Sequence, residues 1–280
     1  QSRLYASDGT TQIGTFYAQN RIVVPLKKIS KPMRQAMVSR EDRRFFQHAG
    51  VDIQGVMRAF VATYVKKGAT QGGSSLTQQY VKNVLLLQAQ EDNDPIAEYH
   101  ASEETVARKL REMLIAVQME KTYSKLEILQ GYLNIAQFGR GIYGVEMAAR
   151  RYFSTTADKL DIVQAATIAA ITKNPAAFDP SVESNQEASQ RERNIVLDLM
   201  YQEKCISQKQ RDEAKAKPLK DTLKLQDAQA GCSASGDAAF FCDYVTKKIL
   251  NSKEFGKTTE ERKKLLYEGG LDIYTTMDVN

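Results

Sequence analysis

Apolar residues recur at helical spacing through most of this chain and alternate with polar residues only near its two ends. Residues 5–24 predict two short strands, and residues 271–276 predict one more. Between these ends a series of helices is predicted, so the expected fold class is mainly α with a little β. The predicted helices cover residues 30–41, 103–120, 124–134, 161–174 and 186–217.

Capping residues mark where several of these helices begin. Ser30 is the expected cap of the first helix, which places Glu41 near the end of that helix. Ser102 is the expected cap of the helix over residues 103–120, and residues 124–127 form a capping-box pattern at the start of the next helix. By contrast, residues 85–102 are mostly polar and acidic and contain a proline, which predicts a mobile loop.

Residues 53–67 combine an apolar side with basic residues elsewhere on the predicted helix. The apolar side carries Val56, Phe60 and Tyr64. Such a helix can lie in a membrane interface, or it can pack on a core and leave one edge in water. The pattern by itself leaves both interpretations open.

Length and composition fit one large domain or a domain with an appendage. Of the 280 residues, 42% are hydrophobic, which allows a sizeable core. No stretch reaches the roughly 18 consecutive apolar residues that span a bilayer, and no signal peptide opens the chain. The chain is therefore expected to be soluble or to be cut from a longer protein. Its net charge of +5 suits an anionic membrane surface or a diphosphate, but also an ordinary solvated surface.

Three cysteines and two histidines limit the options for disulfides and metal sites. Cys232 and Cys242 enclose a short loop rich in Gly, Ser and Ala, a spacing that fits a disulfide and matches no zinc pattern. A disulfide indicates an oxidising, extracytoplasmic compartment, and two reduced cysteines are the alternative. Cys205 would remain free. Since His48 and His100 are the only histidines, a histidine-rich metal site is excluded.

Two unusual stretches carry the candidate chemistry. Residues 41–52, EDRRFFQHAGVD, present adjacent carboxylates, arginines and a histidine, and can supply an acid or a base. Residues 72–83, GGSSLTQQYVKN, present a glycine pair with hydroxyl, amide and ammonium donors that can surround an anionic group. The glycine pair alone also fits a flexible turn. Together, the two stretches favour an active site over a binding face.

These stretches and three later ones resemble, in order, the five motifs of the peptidoglycan glycosyltransferases, the lysozyme-like domains of class A penicillin-binding proteins. The resemblance is dense over residues 41–153 and loose elsewhere. The matching residues are Glu41, Asp42, Arg43, Phe45, His48, Gly50 and Asp52; Gly72, Gly73, Ser74, Thr77, Gln78, Gln79, Lys82 and Asn83; Arg108, Lys109 and Glu112; Lys125, Glu127, Ile128, Leu129, Tyr132, Leu133 and Asn134; and Ala148, Ala149, Tyr152 and Phe153.

The resemblance implies a processive enzyme that polymerises lipid II into glycan strands, with inversion at the anomeric carbon and release of undecaprenyl diphosphate. Residues 1–29 would follow a membrane anchor, residues 30–215 would form the lysozyme-like glycosyltransferase domain, and residues 216–280 would be a linker toward a transpeptidase domain. The segment from about residue 53 to residue 71 would form a small hydrophobic jaw that touches lipid. The resemblance therefore favours a membrane-interface position for the helix predicted over residues 53–67. The S-x-x-K, S-x-N and K-T-G set of a penicillin-reactive serine is absent from this chain.

The resemblance also implies roles for individual residues. Glu41 would be the general base, and Glu112 a second carboxylate near the diphosphate. For Arg108 and Glu112, spaced i,i+4 on one helix, the alternative is a surface ion pair. His48 is more typical of a structural hydrogen-bonding residue than of a catalyst. A divalent cation, Mg²⁺ or Mn²⁺, is expected at the diphosphate, without an organic cofactor. The implied substrate-binding residues are Ser74, Gln78, Gln79, Lys82, Arg108 and Lys109.

One departure from the family bears on diphosphate binding. Residues 85–105 contain no lysine or arginine, whereas the family often places an arginine there. Either Arg108 or Lys109 supplies that charge, or diphosphate binding is weaker. The acidic insert resembles class A proteins of high-GC Gram-positive bacteria.

The resemblance places the protein at the extracytoplasmic face of the cell membrane. The expected partners are lipid II, the growing glycan strand, the membrane surface and cell-wall synthesis proteins, but no nucleic acid. Two other functions remain open: a lysozyme-like enzyme that cleaves glycan, and a non-catalytic cell-wall scaffold.

Overall fold

A computed structural model describes residues 2–16, 21–60, 73–226, 232 and 235–278. The chain divides into two compact units, of which residues 22–225 form the larger. Residues 1–21 and 226–280 together form the smaller. Residues 22–29 and 216–225, predicted to lie outside the glycosyltransferase domain, therefore belong to the larger unit. Among the described helices, none combines the length and apolar character needed to cross a bilayer.

The larger unit is helical throughout the part that the structure describes, apart from short 3-10 turns and loops. The prediction of a mainly α fold is confirmed. The helices are α1 (Lys31–Glu41), α2 (Ile53–Phe60), α3 (Leu76–Glu91), α4 (Pro95–Ser102), α5 (Val106–Thr122), α6 (Lys125–Ile135), α7 (Val145–Phe153), α8 (Ile162–Ile171), α9 (Gln186–Gln202), α10 (Gln208–Ala216) and α11 (Leu219–Thr222).

Helix α8 lies at the centre of the core because its sequence, IVQAATIAAI, is apolar on nearly every side. All of its residues are buried except Ile162 and Gln164. Helices α1 and α9 pack against it, and Met33 and Met37 of α1 are fully buried. A hydrogen bond between the last residue of α1 and the residue after α8 shows that the C-terminal ends of these helices meet.

Two predicted helix starts are confirmed and one is wrong. Ser30 caps α1, and a capping box over residues 124–127 starts α6. The start of α5, however, is capped by Thr105, whereas Ser102 is the last residue of α4. Both residues carry a hydroxyl, but only Thr105 directly precedes the free backbone N–H groups of α5.

The mobile loop predicted over residues 85–102 is wrong, because most of this segment is helical. Helix α3 continues to Glu91, and α4 begins at Pro95. The Asp94 carboxylate accepts hydrogen bonds from two backbone N–H groups of α4, each at 3.0 Å. An aspartate cap followed by proline at the first helical position is a helix start. The residues that suggested a loop therefore form the junction of two helices.

The long helix predicted over residues 186–217 consists of two helices, α9 and α10. The chain turns at Lys204, whose φ is +56°, and Ser207 starts α10 with a capping box. Both helices pack against α8, which explains why the apolar periodicity continues across the turn.

The smaller unit contains a three-stranded sheet and two helices in its described part. The sheet has the order β2-β1-β3, with β1 and β2 antiparallel and β1 and β3 parallel. Leu4 of β1 lies opposite Gly14 and Ile273. The elements are β1 (Ser2–Tyr5), β2 (Gln12–Phe16), α12 (Ala239–Asn251), α13 (Thr259–Glu268) and β3 (Asp272–Tyr274).

The predictions for the smaller unit hold in part. β2 and β3 fall within the predicted strand ranges, whereas β1 begins earlier than predicted and residues 21–25 form no strand. The segment predicted as a linker contains two regular helices. The disulfide between Cys232 and Cys242 is confirmed, and Cys205 is free.

Gly50 provides a test of the packing beside the first motif. Its φ is +83°, and an added Cβ would lie 2.7 Å from backbone atoms of Ala116 and Val117 in α5. The control, Gly141, has φ +70° with no atom within 4 Å of an added Cβ. Gly141→Ala should cost about 1–2 kcal/mol of left-handed strain. Gly50→Ala should cost about 1–3 kcal/mol more because of overpacking. Urea unfolding measures both, and equal losses would contradict the close approach to α5.

Candidate active site

Glu41 is the last residue of α1 and is half-buried between α3 and the end of α8. Its Oε2 accepts a hydrogen bond from Gln79 Nε2 at 2.7 Å, and its Oε1 lies 2.5 Å from Thr172 Oγ1. Both neighbours are uncharged. Two hydrogen bonds, one to each oxygen, fix the orientation of this carboxylate.

Thr172 is a site residue that sequence reasoning missed. Its hydroxyl lies 2.5 Å from Glu41 Oε1 and 2.8 Å from the carbonyl oxygen of Ala169. A hydroxyl has one hydrogen but can also accept. It can therefore donate to the Glu41 carboxylate, or accept from the protonated acid while donating to Ala169. No local pattern marks Thr172; only the packing of α1 on α8 brings it to Glu41.

Tyr132 fixes the orientation of the Gln79 side chain. Its phenol donates a hydrogen bond to Gln79 Oε1 at 3.2 Å, so the amide nitrogen of Gln79 faces Glu41. Burial, and secondarily the negative charge of Glu41, raises the pKa of Tyr132 well above its usual range. The phenol therefore keeps its proton and stays a donor. Tyr132 belongs to the fourth motif, but its role depends on a contact with Gln79, 53 residues away, that no local pattern predicts.

Asp42 joins the first and second motifs. Its buried carboxylate oxygen Oδ2 accepts from Leu76 N–H at 3.0 Å and from His48 Nε2 at 2.8 Å. Leu76 is the first residue of α3, where a carboxylate also meets the favourable end of the helix dipole. His48 thus has the structural hydrogen bond that the sequence favoured, and Asp42 ties the start of α3 to the end of α1.

Gln78 lies inside the protein, whereas its predicted role in substrate binding requires a side chain that a substrate can reach. It is 1% exposed, and its side-chain oxygen accepts from Ser75 N–H at 2.8 Å in a capping box at the start of α3. Ser75 and Gln78 form an S-x-x-Q pattern, so this signal was present in the sequence. Gly72, the first of the glycine pair, lies outside the described residues.

Helix α5 carries a buried ion pair beside a lysine. Arg108 and Glu112 are 5% and 1% exposed and bond to each other through Nη1 and Oε1. The alternative of a surface ion pair is therefore wrong. Lys109 Nζ donates to Ser74 Oγ at 3.0 Å and lies 3.2 Å from Glu112 Oε2. Both oxygens of Glu112 consequently face cations.

Lys82 is the unpaired cation of this cluster. It is half-buried, and within the described residues its ammonium makes no hydrogen bond or ion pair. Burial lowers its pKa, as does the positive charge of Arg108, while Glu112 opposes them. A desolvated cation near two others is a site that an anion can occupy.

Helix α3 arranges these groups along one face. Gln79, which bonds to Glu41, and Lys82 are three residues apart and therefore neighbours on the helix surface. Ser74, just before α3, lies against Lys109. The described contacts therefore join Glu41 to Gln79, Ser74 to Lys109, and Arg108 and Lys109 to Glu112, whereas Gln78 is turned into the capping box.

The described residues contain no group of three or more metal-ligand side chains. The carboxylate among the cations, Glu112, has both oxygens paired with Arg108 and Lys109. Octahedral Mg²⁺ needs free carboxylate oxygens in addition to substrate phosphates. These residues therefore do not fit a divalent cation held by the protein itself.

Comparisons with known proteins identify the family. A family model described as Transglycosylase matches residues 9–201. The chain is 34% identical to penicillin-binding protein 2D of Bacillus subtilis over 98% of this chain and 36% of that protein. It is also 34% identical to penicillin-binding protein 1A of Aquifex aeolicus, over 100% of this chain and 34% of that protein.

One solved structure similar to this chain is penicillin-binding protein 1A from Haemophilus influenzae, with 19% identity, a TM-score of 0.48, and coverage of 98% of this chain and 26% of that one. The chain spans about a third of the length of the curated relatives it matches. Because the family model covers more than half of the chain, the chain belongs to the transglycosylase family and carries the glycosyltransferase domain of a class A penicillin-binding protein.

Proposed function

We propose that this domain polymerises lipid II into glycan strands with inversion at the anomeric carbon and release of undecaprenyl diphosphate. One observation carries the proposal. Among the described residues, the Glu41 carboxylate is held by two neutral donors and the half-buried Lys82 ammonium has no partner, and both lie beside neighbouring positions of α3. A base and an anion site on one helix face are what glycosyl transfer from a diphosphate requires.

Glu41 acts as the general base. It removes the proton from the attacking sugar hydroxyl while that oxygen forms a bond to the anomeric carbon and the bond to the diphosphate breaks. The new proton stays on Glu41 until solvent removes it. Gln79 and Thr172 hold the carboxylate in position, which reduces the reorganisation needed at each step.

Lys82 stabilises the departing diphosphate directly, because its ammonium has no partner of its own. Arg108 and Lys109 add positive charge nearby, and Ser74 keeps a hydroxyl hydrogen to donate because it accepts from Lys109. Arg108 lies on the helix that follows the segment without lysine or arginine, so it supplies the charge that this segment lacks. A divalent cation at the diphosphate stays a prediction, and no step here depends on it.

The pairing of Glu112 favours transfer over glycan cleavage. A glycosidase needs two carboxyl groups, one of them a general acid that protonates the leaving sugar oxygen. Both oxygens of Glu112 are occupied by cations, one by Arg108 and one by Lys109, so neither faces a leaving sugar oxygen. A diphosphate leaves as an anion and needs no such proton.

We further propose that the domain works at the extracytoplasmic membrane surface, on lipid II and a growing glycan strand, beside other cell-wall synthesis proteins. Ile53 and Met57, one turn apart on α2, are 72% and 59% exposed, as a lipid-facing jaw requires. Residues 61–71 of the predicted jaw lie outside the described residues. The disulfide is compatible with an oxidising compartment. The acidic segment after α3 supports an origin in a high-GC Gram-positive bacterium.

Glu41→Gln should lower kcat for lipid II polymerisation by about 10²–10⁴, because the amide cannot accept the proton. Labelled lipid II and a gel assay of the glycan ladder measure the effect. Glu187→Gln, which changes a carboxylate that is 87% exposed, is the matched control. Full activity of Glu41→Gln would disprove its role as base. An inactive, folded wild-type protein in its complete, membrane-anchored form would instead favour the non-catalytic scaffold.

Thr172→Val keeps the shape of the side chain but removes the hydroxyl beside Glu41. Hydrogen bonds to charged groups contribute about 1.5–3 kcal/mol, so kcat should fall roughly 10-fold or more while KM for lipid II is unchanged. Thr172→Ser keeps the hydroxyl and should keep most of the activity. If the valine and serine variants have the same kcat, the hydroxyl does not position the base.

Lys82→Gln should weaken substrate binding and stabilise the free protein. Because the folded protein lowers the pKa of Lys82, protonation favours the unfolded state, and the charged lysine destabilises the fold at neutral pH. The variant should therefore raise the thermal midpoint and raise KM for lipid II about tenfold or more. Lys209→Gln, on an exposed lysine, is the control and should change neither. A lower midpoint for Lys82→Gln would contradict the desolvated cation.

A further inference from the structure

A separate cavity of about 410 Å³ opens on the larger unit. Its walls come from α1, the segment after α1, the start of α6 and the turn after α9. None of the residues placed in the active site lines it. The volume lies within the range of about 300–1,000 Å³ that is usual for small-molecule sites.

The cavity combines an apolar wall with an apolar entrance. Val38 of α1 and Leu129 of α6 line the cavity, and Leu129 is fully buried. Phe46 and Leu126 also line the cavity but are 58% and 52% exposed, so they form part of the mouth. An aliphatic or aromatic body of moderate size would leave water on entering this space.

Cations border the same cavity. Lys31, Arg34 and Arg43 line it, against one carboxylate, Glu203. Arg43 is engaged, since it bonds to Gln202 at 3.3 Å and lies 3.9 Å from Glu203.

Arg34 is different, because its Nε is shielded from solvent and has no hydrogen-bond partner among the residues that the structure describes. Lys31 also makes no hydrogen bond or ion pair within the described residues. A shielded donor without a partner is costly unless a ligand satisfies it.

We propose that this cavity binds an amphipathic anion: an apolar chain or ring that carries one phosphate, sulfonate or carboxylate group. The apolar part contacts Val38 and Leu129, and the anionic group bonds to the Arg34 guanidinium, with Lys31 as a second cation of the same cavity. This binding site is distinct from the diphosphate site, and it does not depend on the function proposed above.

Cys205 allows a direct test, because it lines the cavity and is a free, partly exposed thiol. The rate at which a maleimide labels Cys205 is measured without reductant, so that the disulfide stays closed. Octyl phosphate should bind one molecule per chain by calorimetry and should slow labelling at least tenfold at saturation. Octyltrimethylammonium, octyl glucoside and inorganic phosphate, at the same concentration, should give little protection.

Charge variants of Arg34 decide whether the anion is recognised. Arg34→Gln should weaken octyl phosphate binding at least tenfold, and Arg34→Glu should make octyltrimethylammonium the better protecting agent. Arg191→Gln, on an exposed arginine that pairs with Glu187 one turn away, is the control and should bind as the wild type does. If the Arg34 variants fail to fold, Lys31→Gln gives the second test: it should weaken octyl phosphate binding, and unchanged binding would overturn the proposal.

Three results would overturn the proposal. They are equal protection by all octyl compounds, protection by inorganic phosphate alone, or an Arg34→Gln variant that binds octyl phosphate as tightly as the wild type. Vesicles of phosphatidylglycerol and of phosphatidylcholine then identify the source of the anion. Protection by the anionic vesicles assigns a bilayer lipid, and protection by octyl phosphate alone assigns a free amphiphile.

Discussion

The buried carboxylate of Asp42 connects the two segments on which the site depends. It follows Glu41 directly and accepts the first backbone N–H of α3 together with the ring N–H of His48. Because the end of α1 and the start of α3 share this carboxylate, Gln79 in the first turn of α3 can reach Glu41. Removing this acceptor would leave buried donors unsatisfied and release the start of α3. The position of Glu41, the proposed base, therefore depends on the hydrogen bonds of the neighbouring carboxylate.

Helix α3 carries both Gln79, the partner of Glu41, and Lys82, whose charge has an energetic cost. Lys82 lies one helical turn from Gln79, desolvated and close to Arg108, so its charge destabilises the free protein. Arg108 avoids this cost through its buried pair with Glu112. A set of fully paired cations would have little attraction left for a diphosphate, whereas a set of unpaired ones would oppose folding. The cluster contains a paired cation, Arg108, and a cation without a partner among the described residues, Lys82. Lys82 lies on α3, the helix that also carries Gln79, the hydrogen-bond partner of Glu41.

The sequence predicted features that depend on local patterns. The end of α1 at Glu41, the capping box of α6 and the disulfide all follow from residues close together in the chain. Contacts between residues far apart in the sequence could not be predicted from local patterns. Thr172, for example, meets Glu41 only through the packing of α8 on α1. Gln78 and Gln79 show the limit most clearly. They are adjacent and chemically identical, yet helix geometry turns Gln78 into the capping box of α3 and Gln79 toward Glu41.

The two oxygens of Glu41 differ in what they can accept. Oε2 accepts from the side-chain N–H₂ of Gln79, whose orientation Tyr132 fixes. A proton on Oε2 would therefore point at the N–H of Gln79, and two donors would face each other without an acceptor. Oε1 faces a hydroxyl, which can reverse its hydrogen bond by turning toward the Ala169 carbonyl. Under the function proposed above, a proton taken from a sugar is therefore held at Oε1. In either protonation state every polar atom of the group keeps a partner, so the base can gain and lose its proton without rearranging its surroundings. A processive polymerase must repeat that cycle at every addition, and a pre-organised base suits such repetition.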